Sequence, residues 1–179
     1  MMLDQTNMCG GGRYDYDPSH SRLLLRMPTE IHETVIEYVR DEIASKVKAI
    51  ATGAGGLSAD FARKVKTRGS STVHLGNNGK RDPDGQFRHT EANYPGVILE
   101  VGYSQKLKDL PRLARQYIGG SKGQIRVVIC IDLGYKDRKG TLSVWEGRIV
   151  FNKERKKVLA YVQTVKDEVR VLRSFRGQR

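Results

Sequence analysis

The sequence predicts a single α/β domain in which a central, mixed β-sheet is flanked by helices. Two nearly continuous apolar runs, Val97 to Val101 and Ile125 to Ile131, have the length and composition of strands covered on both faces. Between them Leu107, Leu110, Leu113, Ala114, Tyr117 and Ile118 recur at helical spacing, so strand, helix and strand form a βαβ unit with parallel strands. The 179 residues suffice for one domain of ordinary size and are too few for two comfortable ones.

The remaining elements follow in chain order. Residues 1–12, with Gly10 to Gly12, lack an apolar pattern and read as a disordered N-terminus; the domain spans 13–165, and 166–179 form a basic C-terminal segment. From Arg13 an aromatic, acidic stretch precedes Pro18 and then Leu23 to Leu25, which together read as a short strand or extended segment. Pro28 and Thr29 announce a helix. Thr29 is placed to cap it, and Glu30 and Glu33 occupy the first turn, where the helix dipole favours acids. Ile31, Val35, Val39, Ile43, Val47 and Ile50 give that helix its apolar stripe, to about Ala49, before a glycine loop from Gly53 to Gly56. Arg68 to Leu75 reads as a strand, with a turn over Gly76 to Gly79; Asp82 to Phe87 is a short polar strand. After the parallel unit, whose helix spans 105–118 and closes at Gly119 and Gly120, come strands Thr141 to Trp145, Arg148 to Phe151 and Val158 to Val165.

Hydrophobic residues at 38% and charged residues at 29% exclude fibrous and wholly disordered classes. Lys plus Arg number 32 against 20 Asp plus Glu, and the resulting +12 selects for a polyanion, nucleic acid first. Aromatic content of 7% argues against a base-stacking platform and so for contact with the backbone of duplex DNA. Arg63, Lys64, Lys66 and Arg68, with Lys80 and Arg81, are the cations expected to meet it. A homodimer is the expectation for an enzyme that cuts both strands. Cys9 and Cys130 are too few and too far apart for a disulfide framework, which fits a reducing compartment. Neither a secretory leader nor a membrane span is legible, so the expectation is an intracellular protein, with the nucleus fitting a DNA partner, and no membrane partner.

Glu100 carries the chemical argument. An ionised carboxylate inside Val97 to Val101 must be paired, protonated or bound to a cation. Asp84, after Pro83, lies just upstream. If the two strands pair as a hairpin, both carboxylates meet at one edge of the sheet, where two hard oxygen ligands suit Mg²⁺ or Mn²⁺. The alternatives are structural: Glu100 paired with a buried Arg126, Asp-Pro-Asp-Gly as a surface turn, Glu33 as a helix-start acid and His32 as its solvated neighbour. His20, His32, His74 and His89 show no zinc-ligand spacing.

The order of an acid-bearing helix, a strand, the Pro83-Asp84 strand, the strand holding Glu100, a helix and a further strand resembles the core of the PD-(D/E)XK restriction-endonuclease-like nuclease superfamily. Tyr94 to Gln105 in particular resembles fungal members of unassigned function. The resemblance spans roughly residues 13–150 and implies a restriction-endonuclease-like fold and Mg²⁺-dependent hydrolysis of DNA phosphodiesters. It implies Asp84 and Glu100 as catalytic metal ligands, a main-chain carbonyl from Val101, and Glu33 as the acid some members add. One position departs from the pattern: the lysine expected two residues after the glutamate is Gly102. Lys106, Lys108 or Gln105 would then supply the missing group. If none does, the chain is a noncatalytic nucleic-acid-binding or protein-interaction module on the same fold.

Overall fold

The computed structural model describes residues 13–26, 29–53, 55–102, 110–134 and 139–171. Its centre is a six-stranded mixed sheet in the order β10-β9-β8-β7-β6-β3. These strands are β3 (Val65–Thr67), β6 (Gly85–His89), β7 (Val97–Gly102), β8 (Val127–Leu133), β9 (Lys139–Phe151) and β10 (Lys157–Val171). β7 and β8 run parallel and are joined by α3 (Leu110–Gly120); every other pairing in the sheet is antiparallel. The predicted parallel unit is therefore present, and β6 and β7 form the antiparallel pair that the two-carboxylate argument requires.

Alternation along β7 and β8 divides the core. Leu99 and Val101, with Ile129, Ile131 and Leu133, face Val35, Ile36 and Val39 of α1 (Glu30–Gly53). Ile98, Val128 and Cys130, with Trp145 of β9, face Ala114, Tyr117 and Ile118 of α3. Both faces are covered, which is why these strands read as unbroken apolar runs. Helix α1 begins where expected, with the Thr29 hydroxyl accepting from the His32 N–H at 3.3 Å.

Several expectations are corrected. The predicted stripe of α1 packs on the sheet through Val35 and Val39, but the residues of α1 that are buried are His32 and Ile36, and Ile31 is more than half exposed. The glycine loop is followed by an unpredicted helix, α2 (Gly56–Lys64), whose buried residues are only Ala59 and Ala62; small buried side chains give a weak periodic signal. Arg68 to Leu75 is not one long strand: residues 68–72 turn between β3 and the two-residue β4 (Val73–His74). The two strands predicted over residues 141–151 are one, β9, because Glu146 and Gly147 stay in ladder register with Val162 and Tyr161. The N-terminal stretch is a hairpin of β1 (Arg13–Asp17) and β2 (Arg22–Arg26), which joins β5 (Lys80–Arg81) and β4 in a second, four-stranded sheet, β2-β1-β5-β4. The described residues thus form two sheets rather than one. Residues 1–12 and 172–179 lie outside the described residues.

Close packing of α3 on the sheet depends on Gly147. A Cβ at Gly147 would come within 2.6 Å of the Ile118 Cγ2 atom, and Ile118 is fully buried. Gly147→Ala is therefore expected to cost about 1–3 kcal/mol through overpacking, read as a lower urea midpoint with an unchanged slope.

Candidate functional site

The site is assembled where β6 begins and β7 runs past it. β6 pairs with β7 as Gly85↔Leu99, Gln86↔Ile98 and Phe87↔Val97, so continuing the register by one residue brings Asp84 level with Glu100. On the β6 side, no strand among the described residues pairs with β7 beyond Leu99, and side chains take over. The Val101 N–H donates to Asp84 Oδ2 at 2.6 Å, and His32 Nε2 lies 2.9 Å from the Val101 carbonyl oxygen. A buried main-chain donor and acceptor are thereby both paired. Asp84 and Glu100 are each only 2% exposed. Asp84 is a buried anchor of the sheet end, not the surface turn that Asp-Pro-Asp-Gly alone suggested.

Asp84 is held from two further directions. Arg13 of β1 donates from Nη1 to Asp84 Oδ1 at 2.6 Å, and its Nη2 reaches both carboxylate oxygens of Glu33, at 2.9 and 3.1 Å. His32 Nε2 is also 3.2 Å from Asp84 Oδ2, and its Nδ1 is 3.4 Å from Glu33 Oε1. His32 is consequently buried rather than solvated. Burial by itself would depress its pKa, but the Asp84 hydrogen bond and charge, helped by the Val101 carbonyl and Glu33, outweigh that and leave it raised above 6.5. The charged imidazole then favours the folded state, with full effect below pH 6.5, and this contribution is lost as pH rises through the folded-state value. Melting temperature is therefore expected to fall with pH above 6.5 more steeply in the wild type than in His32→Gln, which keeps a side-chain donor but does not titrate.

Glu100 points to the other face of β7. Tyr117 Oη donates to Glu100 Oε1 at 2.5 Å, fixing the carboxylate against α3. Arg126, the alternative partner for Glu100, is exposed instead. Opposite Glu100 on β8 is Cys130, whose thiol pKa is pushed up to about 12 by burial and by the charges of both Glu100 and Asp84. Gly102 pairs with Asp132, and a Cβ at Gly102 would lie 3.5 Å from Asp132 Oδ1. The place where a lysine was expected is thus bordered by a third carboxylate, whose pKa burial raises.

The sequence-predicted residues divide accordingly. The fold gathers Asp84, the Val101 main chain and Glu33 around Arg13 and His32, with Glu100 on the strand beside them. Gln105, Lys106 and Lys108 lie outside the described residues. Arg81 is corrected: it is 8% exposed, pairs with Asp15 at 3.3 Å, donates to Gln116 and stacks over Tyr117, so it is a structural cation and is not available to a backbone phosphate. Lys80 is exposed, as are Lys66 and Arg68 on and after the edge strand β3. Arg63 bonds Asp60 and the Ala51 carbonyl, and Lys64 bonds Glu91 at 2.6 Å, yet both remain half-exposed. Arg13, Tyr117 and Asp132 were not singled out for the site. Nothing near Arg13 in sequence marks it, because its partners are 20 and 71 residues away. Tyr117 had a signal: a tyrosine on the apolar face of a helix packed over a strand with one acid needs a polar partner for its hydroxyl.

Hard carboxylate oxygens and a cationic guanidinium already seated between two of them make this a place that fits a positive charge, and the donor chemistry suits Mg²⁺. Among the described residues no group of three or more His, Cys, Asp or Glu side chains is disposed to hold an ion by itself. A divalent ion here would draw on the carboxylates together with the Val101 carbonyl and water. Among the described residues, no helix is long and apolar enough to cross a membrane. The chain matches no protein-family model and no curated protein sequence.

Proposed function

We propose that the protein is a Mg²⁺-dependent nuclease-like hydrolase of duplex DNA, built on a restriction-endonuclease-like core. The observation that carries this reading is the register of β6 and β7, which sets a buried aspartate level with a buried glutamate where the ladder between the two strands ends. Asp84 would hold the ion with the Val101 carbonyl and Glu33 as further oxygen donors, and Glu100, on the opposite face of β7, would join them by exchanging its Tyr117 bond for the ion. A bound divalent ion lowers the pKa of its water and offsets charge on a pentacovalent phosphate.

The chain's own groups do the rest. Tyr117 holds Glu100 in one orientation, and the Asp84 link to the Val101 N–H ties the aspartate to the strand carrying the glutamate. Lys66 and Arg68, exposed on one edge of the sheet, offset the repulsion between buried acids and DNA phosphates. Lys106, Lys108 or Gln105 would orient the attacking water in place of the absent lysine, a role that rests on the resemblance alone.

A second reading is a noncatalytic nucleic-acid-binding module, favoured by the Arg13 guanidinium on Asp84 and by Gly102. Incubation with supercoiled plasmid separates the two. Nicked or linear product that needs Mg²⁺ or Mn²⁺ and stops with chelator is the expected result. Binding that weakens steeply with salt, without cleavage under any metal, would establish the module instead.

A further inference from the structure

We infer that Arg13 is a built-in competitor of the divalent ion: its guanidinium occupies the cation position between Asp84 and Glu33, and metal loads only as that guanidinium is displaced. The inference rests on the proposed metal-dependent reading and adds a residue that the superfamily resemblance does not supply. Arg13 Nη1 sits 2.6 Å from Asp84 Oδ1, while Nη2 spans both oxygens of Glu33 at 2.9 and 3.1 Å. Asp84 Oδ2 is already taken by the Val101 N–H and His32. Asp84 Oδ1, an oxygen that an ion would bond, is held by Arg13.

Chemistry makes this a competition. Guanidinium stays charged at every working pH and matches carboxylates through paired N–H groups, so it neutralises the acids without the dehydration that Mg²⁺ resists. The Arg13 side chain is 13% exposed and that of Asp84 is 1%, so solvent screens the contact little. Arg13 also belongs to β1 in the second sheet, on a different element from either acid. Its main chain pairs with β2 and not with β6 or β7, so displacing its side chain breaks no main-chain bond of the β6–β7 ladder. Once free it carries a cation at the rim of the site, where a phosphodiester oxygen would receive it. Metal and phosphate should accordingly bind cooperatively, each taking one partner of the ion pair.

The test is Mn²⁺ binding, followed by isothermal titration and by the loss of the free-ion EPR signal, for wild type, Arg13→Gln and Arg13→Lys. Arg13→Gln is expected to bind Mn²⁺ roughly tenfold or more tightly than wild type, since one opposing charge at hydrogen-bond distance is removed. Arg13→Lys, which keeps the charge, should stay near wild type. Inorganic phosphate should tighten Mn²⁺ binding to wild type and leave Arg13→Gln unchanged. If Arg13→Gln unfolds partly in chelator, thermal scans decide: Mn²⁺ should raise its melting temperature more than that of wild type. Equal affinity in wild type and Arg13→Gln, or an equal gain in Arg13→Lys, overturns the competition while leaving the metal centre standing. Absence of Mn²⁺ binding in all three overturns the metal-dependent reading, and this inference with it.

Discussion

Replacing Asp84 by alanine is expected to destabilise the fold by about 3 kcal/mol, a large share of the roughly 5–15 kcal/mol that holds a domain together. The carboxylate satisfies three groups at once: the Arg13 guanidinium, the His32 imidazole and the Val101 N–H. Its removal leaves a buried N–H without an acceptor and takes one carboxylate from a guanidinium that is only 13% exposed. The loss is set at the lower end of the range for a broken buried ion pair because Arg13 keeps Glu33 and His32 keeps the Val101 carbonyl. Asp84→Asn, which retains an acceptor for Val101 but no charge, should recover part of the loss. Urea unfolding of the three proteins checks this. Wild-type stability in Asp84→Ala would show that the anchor contributes nothing, and would remove the account of why the sheet end is ordered.

Glu100→Gln is expected to have the largest functional effect, reducing metal-dependent plasmid cleavage by about 10³-fold, the scale of removing a group that stabilises developing charge. The substitution is nearly isosteric, and the Tyr117 hydroxyl still finds an acceptor in the amide oxygen, so circular dichroism and melting temperature should change little. That separation is the point of the comparison. Asp84 acts in both structure and chemistry, and its variants confound the two, whereas a silent fold with lost cleavage in Glu100→Gln assigns Glu100 to the chemistry. Cleavage undiminished in Glu100→Gln would leave Glu100 as a buried partner of Tyr117 and would remove the glutamate from the metal site.

Much of the sheet's centre was legible because burial on both faces writes itself into composition. Val97 to Val101 and Val127 to Ile131 are strands for the reason predicted, and Tyr117 and Ile118 mark the face that α3 lays on them. The buried face of α1 shows the limit. His32 lies in the buried face, and a polar residue there is invisible to a pattern built from apolar ones. The hairpin β1–β2 was legible only as an extended stretch, since its partner strand β5 is two residues long and far away in sequence.

From the order of its residues alone, this protein was committed to a mixed sheet with covered faces, to a basic surface and to two acids that a hairpin would bring level. Local periodicity and charge count are properties of short windows, so they survive without coordinates. Only the tertiary structure decided what those acids touch. Arg13 reaches Asp84 and Glu33 from another sheet, His32 closes on the Val101 carbonyl across 69 residues, and Tyr117 meets Glu100 from the opposite face. Such contacts arise because a charge carried out of water takes whichever complementary group the folded backbone brings within reach, wherever that group stands in the chain.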